Sequence, residues 1–388
     1  MAAPAATRAS AWALVGLLTF ASAAAAAQAD EPTFEYAGYR FGLFNQRGRG
    51  LQSRAANDSA MPGSEDAWIF QSILDFQLRQ DRNAVHNVAI PVDVVSAAST
   101  DALDAVATAS RETESVDVDY LLTLRDTEHT TYQLRMRPHL EEHWHAESLG
   151  GAILHSFADD NAVLRVGAEL TLDSFDKIGP AGFHSGPWVH RFAATFHAGI
   201  SQLLSPTTMV SALYQFTAQF GFLETTYNSV PYEQGGRIEE LLPRTRGRHS
   251  ISGELRQAIL ETGTYLMLSY RFYGDSFQAY AHSAQATVTQ ELGDLWLRGH
   301  YRFHYQDAPE FWMAYAPVDL QLWEPRTADS DLETLYAQEI GLNARWFFER
   351  QGALTARSSF VQVGYLYYFR SNGLEMHLGT VEIGIGFQ

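Results

Sequence analysis

Leu295-Trp296-Leu297-Arg298-Gly299-His300-Tyr301-Arg302-Phe303-His304-Tyr305 decides how the chain is built. The odd positions Leu295, Leu297, Tyr301, Phe303 and Tyr305 are apolar. The even positions Arg298, His300, Arg302 and His304 are cationic or ionisable. Side chains on a β-strand alternate between its two faces, so this stretch has one greasy face and one charged face. The same alternation recurs along nearly the whole chain, with no helical pattern to cover the apolar faces. A closed barrel in lipid satisfies every such strand at once, apolar side out and polar side in. The expected fold is therefore all-β: a transmembrane antiparallel β-barrel of about sixteen strands, an even number, with short periplasmic turns and long extracellular loops.

The strands are expected near 34–44, 66–79, 83–95, 110–124, 129–140, 147–157, 162–173, 188–201, 207–221, 247–259, 264–273, 279–292, 295–306, 336–348, 357–370 and 375–387. Short connections at Gln80 to Arg82, Arg125 to Glu128, Ala158 to Asn161, Gln202 to Pro206, Leu260 to Gly263 and Gly293-Asp294 alternate with mostly longer ones, although three outer connections, near Glu141 to Ala146, Gly274-Asp275 and Ser371 to Gly373, are also short. The longer ones are Asn45 to Glu65, Ser96 to Ala109, Ser174 to Pro187, Phe222 to Arg246 and Asp307 to Leu335. Aromatic residues gather at the long-loop ends of the strands. Trp68 and Phe70, Trp188 and Phe192, Phe216 and Phe220, Tyr270 and Phe272, and Tyr365 to Phe369 read as a girdle at headgroup level. The last strand ends in Phe387, with Gln388 after it. A terminal aromatic is what the barrel assembly machinery reads; the extra residue departs from that pattern.

Composition agrees. The 388 residues contain no cysteine and carry a formal charge of −18. That excludes a disulfide framework and Cys-based metal sites, and the acidic balance argues against a nucleic-acid partner. Every basic side chain except Lys177 is arginine, the better residue for fixed ion pairs. At the N-terminus Arg8, the apolar run Ala11 to Phe20 and the small-x-small site Ala27-Gln28-Ala29 read as a signal peptide over 1–29, cleaved on export. The single barrel domain then spans 30–388. No run of about 18 apolar residues offers a transmembrane helix elsewhere. Together these place the chain in the outer membrane of a Gram-negative cell, with membrane lipid and the assembly machinery as its partners.

Giving the polar parity to the lumen yields a pore-lining set: Arg135, Arg137, Arg165, Glu169, Arg191, Glu254, Arg256, Arg271, Arg298, His300, Arg302, His304 and Arg345. Facing Arg and carboxylate rows select small polar or charged solutes; equally, they can simply solvate a plugged lumen. Other chemistry is thin. His139-Leu-Glu-Glu-His143-Trp-His145 has H-x-x-E-H spacing, but that spacing needs a helix, and Pro138 and flanking strands exclude one. As loop residues, His139, His143 and His145 are candidate zinc or copper ligands; an ordinary polar hairpin is the plainer reading, and no metal is assigned. His300 and His304 share a face yet lie about 13 Å apart along a strand, too far for one ion. His282 shares the lipid-facing parity. There is no Gly-x-Ser-x-Gly element and no phosphate loop, so neither an enzyme nor a cofactor is expected. The apolar residues Phe311 to Met313 and Leu320 to Trp323 suggest that the longest loop folds inward or meets a partner.

One resemblance adds to this. Val92 to Thr100, Pro231-Tyr232, Pro243-Arg244-Thr245-Arg246, Tyr270 to Asp275 and Tyr301 to Tyr305, in that order and spacing, resemble the domain-of-unknown-function family numbered 3570. The resemblance spans roughly Trp68 to Gln388. It implies an outer-membrane β-barrel without an established substrate. It also implies neighbours that include a small lipoprotein, a thioredoxin-like protein and a flavin transferase. A channel or transport component is the first functional expectation. The alternative is a loop-plugged structural barrel that binds a periplasmic or lipoprotein partner in an envelope redox or metal system. The resemblance carries over no catalytic residues.

Overall fold

The computed structural model describes residues 32–48, 67–97, 113–177, 186–225, 228–232, 234–349 and 358–387. The expected signal peptide and most of the loops at 45–65 and 96–109 lie outside them. Nineteen strands form among the described residues. They are β1 (Thr33–Arg47), β2 (Ala67–Arg79), β3 (Ala84–Ala97), β4 (Thr113–Asp117), β5 (Asp119–Arg125), β6 (Thr130–Glu141), β7 (Trp144–Phe157), β8 (Ala162–Asp176), β9 (Trp188–Ser205) and β10 (Thr208–Gly221). Then come β11 (Ser229–Pro231), β12 (Arg237–Glu239), β13 (Thr245–Ile259), β14 (Thr264–Asp275), β15 (Tyr280–Leu292), β16 (Leu295–Gln306), β17 (Leu335–Glu349), β18 (Ser359–Arg370) and β19 (Glu375–Gly386).

Seventeen of these make one antiparallel sheet that closes on itself, because β1 pairs with both β2 and β19. Strands β4 and β5 share one position: both pair with β3 and with β6. The barrel therefore has sixteen positions, and each coincides with one of the expected strands. The split at Val118 has a cause. Pro138 sits opposite it on β6, and proline has no N–H to give to a neighbouring strand. The ladder is bridged there by the Val118 N–H donating to the Pro138 carbonyl at 3.1 Å.

Closure leaves no open sheet edge for another chain to extend. A bulge in β1 between Phe34 and Tyr36 fits the closing seam to both faces. It lets Phe34 face outward, 5.4 Å from Phe387, while Glu35 turns into a buried position and takes two hydrogen bonds from Arg79.

The outward face is apolar from rim to rim. Leu149, Ile153, Leu170, Ile251, Leu268, Leu342, Val363 and Val381 make its middle belt. Trp68, Trp188, Phe220, Tyr270, Tyr305 and Tyr365 stand exposed toward the long-loop end. Three outward tyrosines carry a histidine on the next strand: Tyr214 Oη with His249 Nδ1 at 2.8 Å, Tyr270 with His282 at 2.6 Å, and Tyr365 with His377 at 2.7 Å. His282 thus occupies the lipid-facing side, with its polar edge covered by a phenol.

Strand ends run past the sequence-based limits at several loops. The expected connection Glu141 to Ala146 shrinks to Glu142-His143, because β7 already begins at Trp144.

Candidate functional site

The site is the inward face, whose charged rows fall into three districts and one cap. The pore-lining arginines, histidines and glutamates expected from parity all stand on the inward parity of their strands, opposite the apolar face.

The first district lies on β5 to β9. Arg135 Nε donates to Asp119 at 2.8 Å, and Arg137 pairs with Glu169 on β8. Arg191 Nε donates to Asp173 at 2.7 Å, and Trp144 Nε1 donates to the same carboxylate at 3.1 Å. Arg165 meets no carboxylate among the described residues; its Nε donates to His197 Nε2 at 3.2 Å.

The second district spans the closing seam. Glu382 on β19 accepts from Arg40 Nε at 3.1 Å and from Gln362 at 3.3 Å, with Arg345 3.8 Å away. These four residues occupy one register line across β1, β19, β18 and β17. Parity alone could have added Arg40 and Asp173 to the lining set, since both alternate correctly with their apolar neighbours.

The third district is the wall from β13 to β18 near the long-loop end. Ser252, Arg271, Ser283, His304, Ala337 and Arg370 form one register line; Glu254, Ser269, Gln285, Arg302, Glu339 and Tyr368 form the next. His300 Nε2 bonds Glu339 at 2.9 Å, and its ring lies where a Cβ on Gly341 would stand, so only glycine admits this pair. Glu254 accepts from Arg256 at 2.5 Å. Arg298 meets no carboxylate among the described residues. Arg246, expected at the end of the long loop, belongs instead to β13, and it faces inward with Arg248. Arg246 is held by Asp275, and Arg248 Nε donates to the Tyr273 hydroxyl at 3.0 Å.

The histidine-rich turn brings no metal site together. His139 points inward to Asp117 at 2.7 Å, His143 bonds buried Asp176 at 3.2 Å, and His145 stacks outward on Trp188 at 5.2 Å. The three rings diverge because two sit on strands with opposite parity and the third is in the turn. No group of three or more metal-ligating side chains forms among the described residues.

The cap joins two long loops, 222–244 and 307–334. Strands β11 and β12 form a small hairpin in the first, bridged to the second at Tyr232 with Ala316 and at Leu241 with Arg326. Val230, Ala316 and Ala328 are its core, packed by Tyr232, Ile238, Met313 and Leu320. Phe311 packs edge-on against Phe277 at 5.0 Å. Part of the apolar content of the longest loop is thus absorbed, while Val318, Leu322 and Trp323 remain exposed. The cap is tied to the wall by Asp331 with Arg370 and by Gln306 Nε2 donating to the carbonyls of Asp331 at 2.8 Å and Glu333 at 2.9 Å.

Inside the cap, Asn228 Nδ2 donates to Asp329 at 3.0 Å, and Glu240 accepts from Thr327 and from the Thr225 N–H. Burial, with Asp331 and Glu240 nearby, pushes the Asp329 carboxyl up to about 7. Burial also raises Glu240. The folded cap therefore holds a proton that an undocked loop releases near the ordinary carboxylate pKa. Its stability falls as pH rises from the ordinary value and is least above about 7. Limited proteolysis should cut the cap faster at pH 8 than at pH 5.5, and Asp329→Asn should flatten that difference.

With this geometry in place, comparison decides the family. A family model described as "Protein of unknown function (DUF3570)" matches residues 114–376. The chain belongs to the DUF3570 family. No curated protein matches it. Among solved structures, it is similar to a BenF-like porin from Pseudomonas fluorescens Pf-5, at 7% identity and TM-score 0.46, covering 91% of this chain and 99% of that one. It is also similar to the outer membrane protein OprD from Pseudomonas aeruginosa, at 10% identity and TM-score 0.43, covering 94% and 96%. A structure titled bacterial polysaccharide outer membrane secretin matches at 9% identity and TM-score 0.45, covering 91% and 98%. Each is a likeness of overall trace.

Proposed function

We propose that this DUF3570 chain is an outer-membrane channel that passes small polar or charged solutes along its barrel. It is exported by its signal peptide and oriented with the cap outside the cell. The observation that carries the reading is the division of faces. Sixteen positions close with lipid-compatible side chains outward, while inward stand arginine–carboxylate rows on nearly every strand. A barrel this wide leaves room for water beyond its own side chains. Charged rows inside would be costly in a dry core and are stable beside water. They also set a field across the bore that favours small charged or dipolar solutes over apolar ones. The cap, anchored at β10, β13 and β16 to β18, stands where it would filter entry.

Osmotic swelling of liposomes tests this. Vesicles holding the refolded chain should swell in isotonic glycine or arabinose at a rate that rises with protein content and falls with solute size. Vesicles that stay as tight as protein-free ones would sink the channel reading.

A further inference from the structure

The wall from β13 to β18 carries more cation than its carboxylates neutralise. Asp275 is taken by Arg246, Asp331 by Arg370, Glu339 by His300 and Glu254 by Arg256. Asp307 accepts the Tyr305 hydroxyl at 2.6 Å. Among the described residues this leaves Arg271 and Arg302 without a carboxylate partner and Arg248 with only a phenol. All three border one recess of about 280 Å³, together with Ser283, His304 and the carboxylates Asp307 and Asp331, of which Asp331 is held by Arg370 and Asp307 by the Tyr305 hydroxyl.

Hydrogen-bond roles in the recess follow from its edge. Gln306 gives its amide hydrogens to two backbone carbonyls of the cap, so its Oε1 must be the atom facing His304 Nε2 at 3.1 Å. An amide oxygen only accepts, so His304 Nε2 carries a proton. In the neutral ring Nδ1 then accepts from the Ser283 hydroxyl at 2.8 Å. The hydrogens of Gln306, His304 and Ser283 are thus spent within the wall, and the donors left for a guest belong to the guanidinium groups. Guanidinium forks match the paired oxygens of a carboxylate or phosphate.

We infer that Arg271, Arg302 and Arg248 form a binding station for a small oxyanion on this wall. The inference deepens the channel reading by naming a solute class, and rests on it for traffic through the bore. Arg271 and Arg302 lie on neighbouring register lines, on strands separated only by β15. One anion can therefore be approached from two sides, with Arg248 across the recess. The cap reaches the same wall through Gln306 and Arg370, so the station lies just beneath the docked cap.

The test is the phosphorus-31 line width of inorganic phosphate mixed with the full chain folded in detergent. Wild type should broaden the line. Arg271→Gln with Arg302→Gln should reduce the broadening by roughly fivefold, the worth of about one charge contact in water. Arg271→Lys with Arg302→Lys keeps the charge and should retain most of it. Arg82→Gln removes a cation at a short turn and should leave it unchanged. Heat-modifiable gel migration confirms that each variant is folded. An unbroadened line with wild type, or equal broadening with the double glutamine variant, overturns the station. The readout needs no through-flow. A sealed barrel that still broadens the line contradicts the channel and supports the station; a conducting barrel that leaves it sharp does the reverse.

Discussion

Replacing Leu268 with arginine should destabilise the folded barrel by about 2–4 kcal/mol, because the charge would sit in the hydrocarbon midplane. Leu268 lies midway along β14, is 52% exposed on the outer face, and is flanked in register by Leu255 and Ala286. Ser269, the next residue, turns inward beside Glu254 and Gln285. Arginine there stays in the polar bore near a carboxylate, and Ser269→Arg should change stability by less than roughly 1 kcal/mol. Reversible urea unfolding in lipid vesicles measures both. The contrast between adjacent residues is a direct test of which way each face points. Equal costs at the two positions would mean that the assigned faces are wrong.

Removing the Asp275 side chain should cost about 3–5 kcal/mol, the range for breaking a buried charge pair by deleting one partner. Its carboxylate is fully buried and holds Arg246, the Tyr273 hydroxyl at 2.7 Å, and the N–H groups of Phe277 at 2.9 Å and Ala279 at 3.1 Å. Asp275→Ala leaves a mostly buried guanidinium and two turn N–H donors without acceptors. Asp275→Asn keeps the shape and one acceptor oxygen, so its cost should be smaller. Because this turn carries Phe277, which packs on Phe311 of the cap, the alanine variant should also expose the cap to protease. Stability measured as above, with cap cleavage followed on the same samples, checks both effects. An alanine variant within roughly 1 kcal/mol of wild type would show that water replaces these bonds.

Much of this molecule was legible because a β-barrel writes its two environments into adjacent residues. Arg298, His300, Arg302 and His304 alternate with lipid-facing side chains, and that local signal located every barrel position. What stayed hidden is non-local. Nothing near Val118 announces that its strand breaks; the cause is Pro138 on the neighbouring strand. The bulge at Glu35 serves the fit of β1 between β2 and β19. The cap depends on two loops nearly a hundred residues apart, and Val230 with Ala316 becomes a core only when they meet. Spacing along a loop also could not show that the strands extend and send His139 and His145 to opposite faces. Ion pairing was equally unreadable. Parity marks Arg191 and Arg298 as alike, and only the fold gives Arg191 the buried carboxylate of Asp173 and leaves Arg298 facing the bore.

Planar-bilayer recording of the refolded chain shows whether the bore conducts. Stepwise, ohmic single-channel currents are expected in potassium chloride, present at low voltage and absent from bilayers without protein. A barrel that inserts, shows its heat-modifiable folded form and yet stays sealed at every applied voltage would contradict the channel reading.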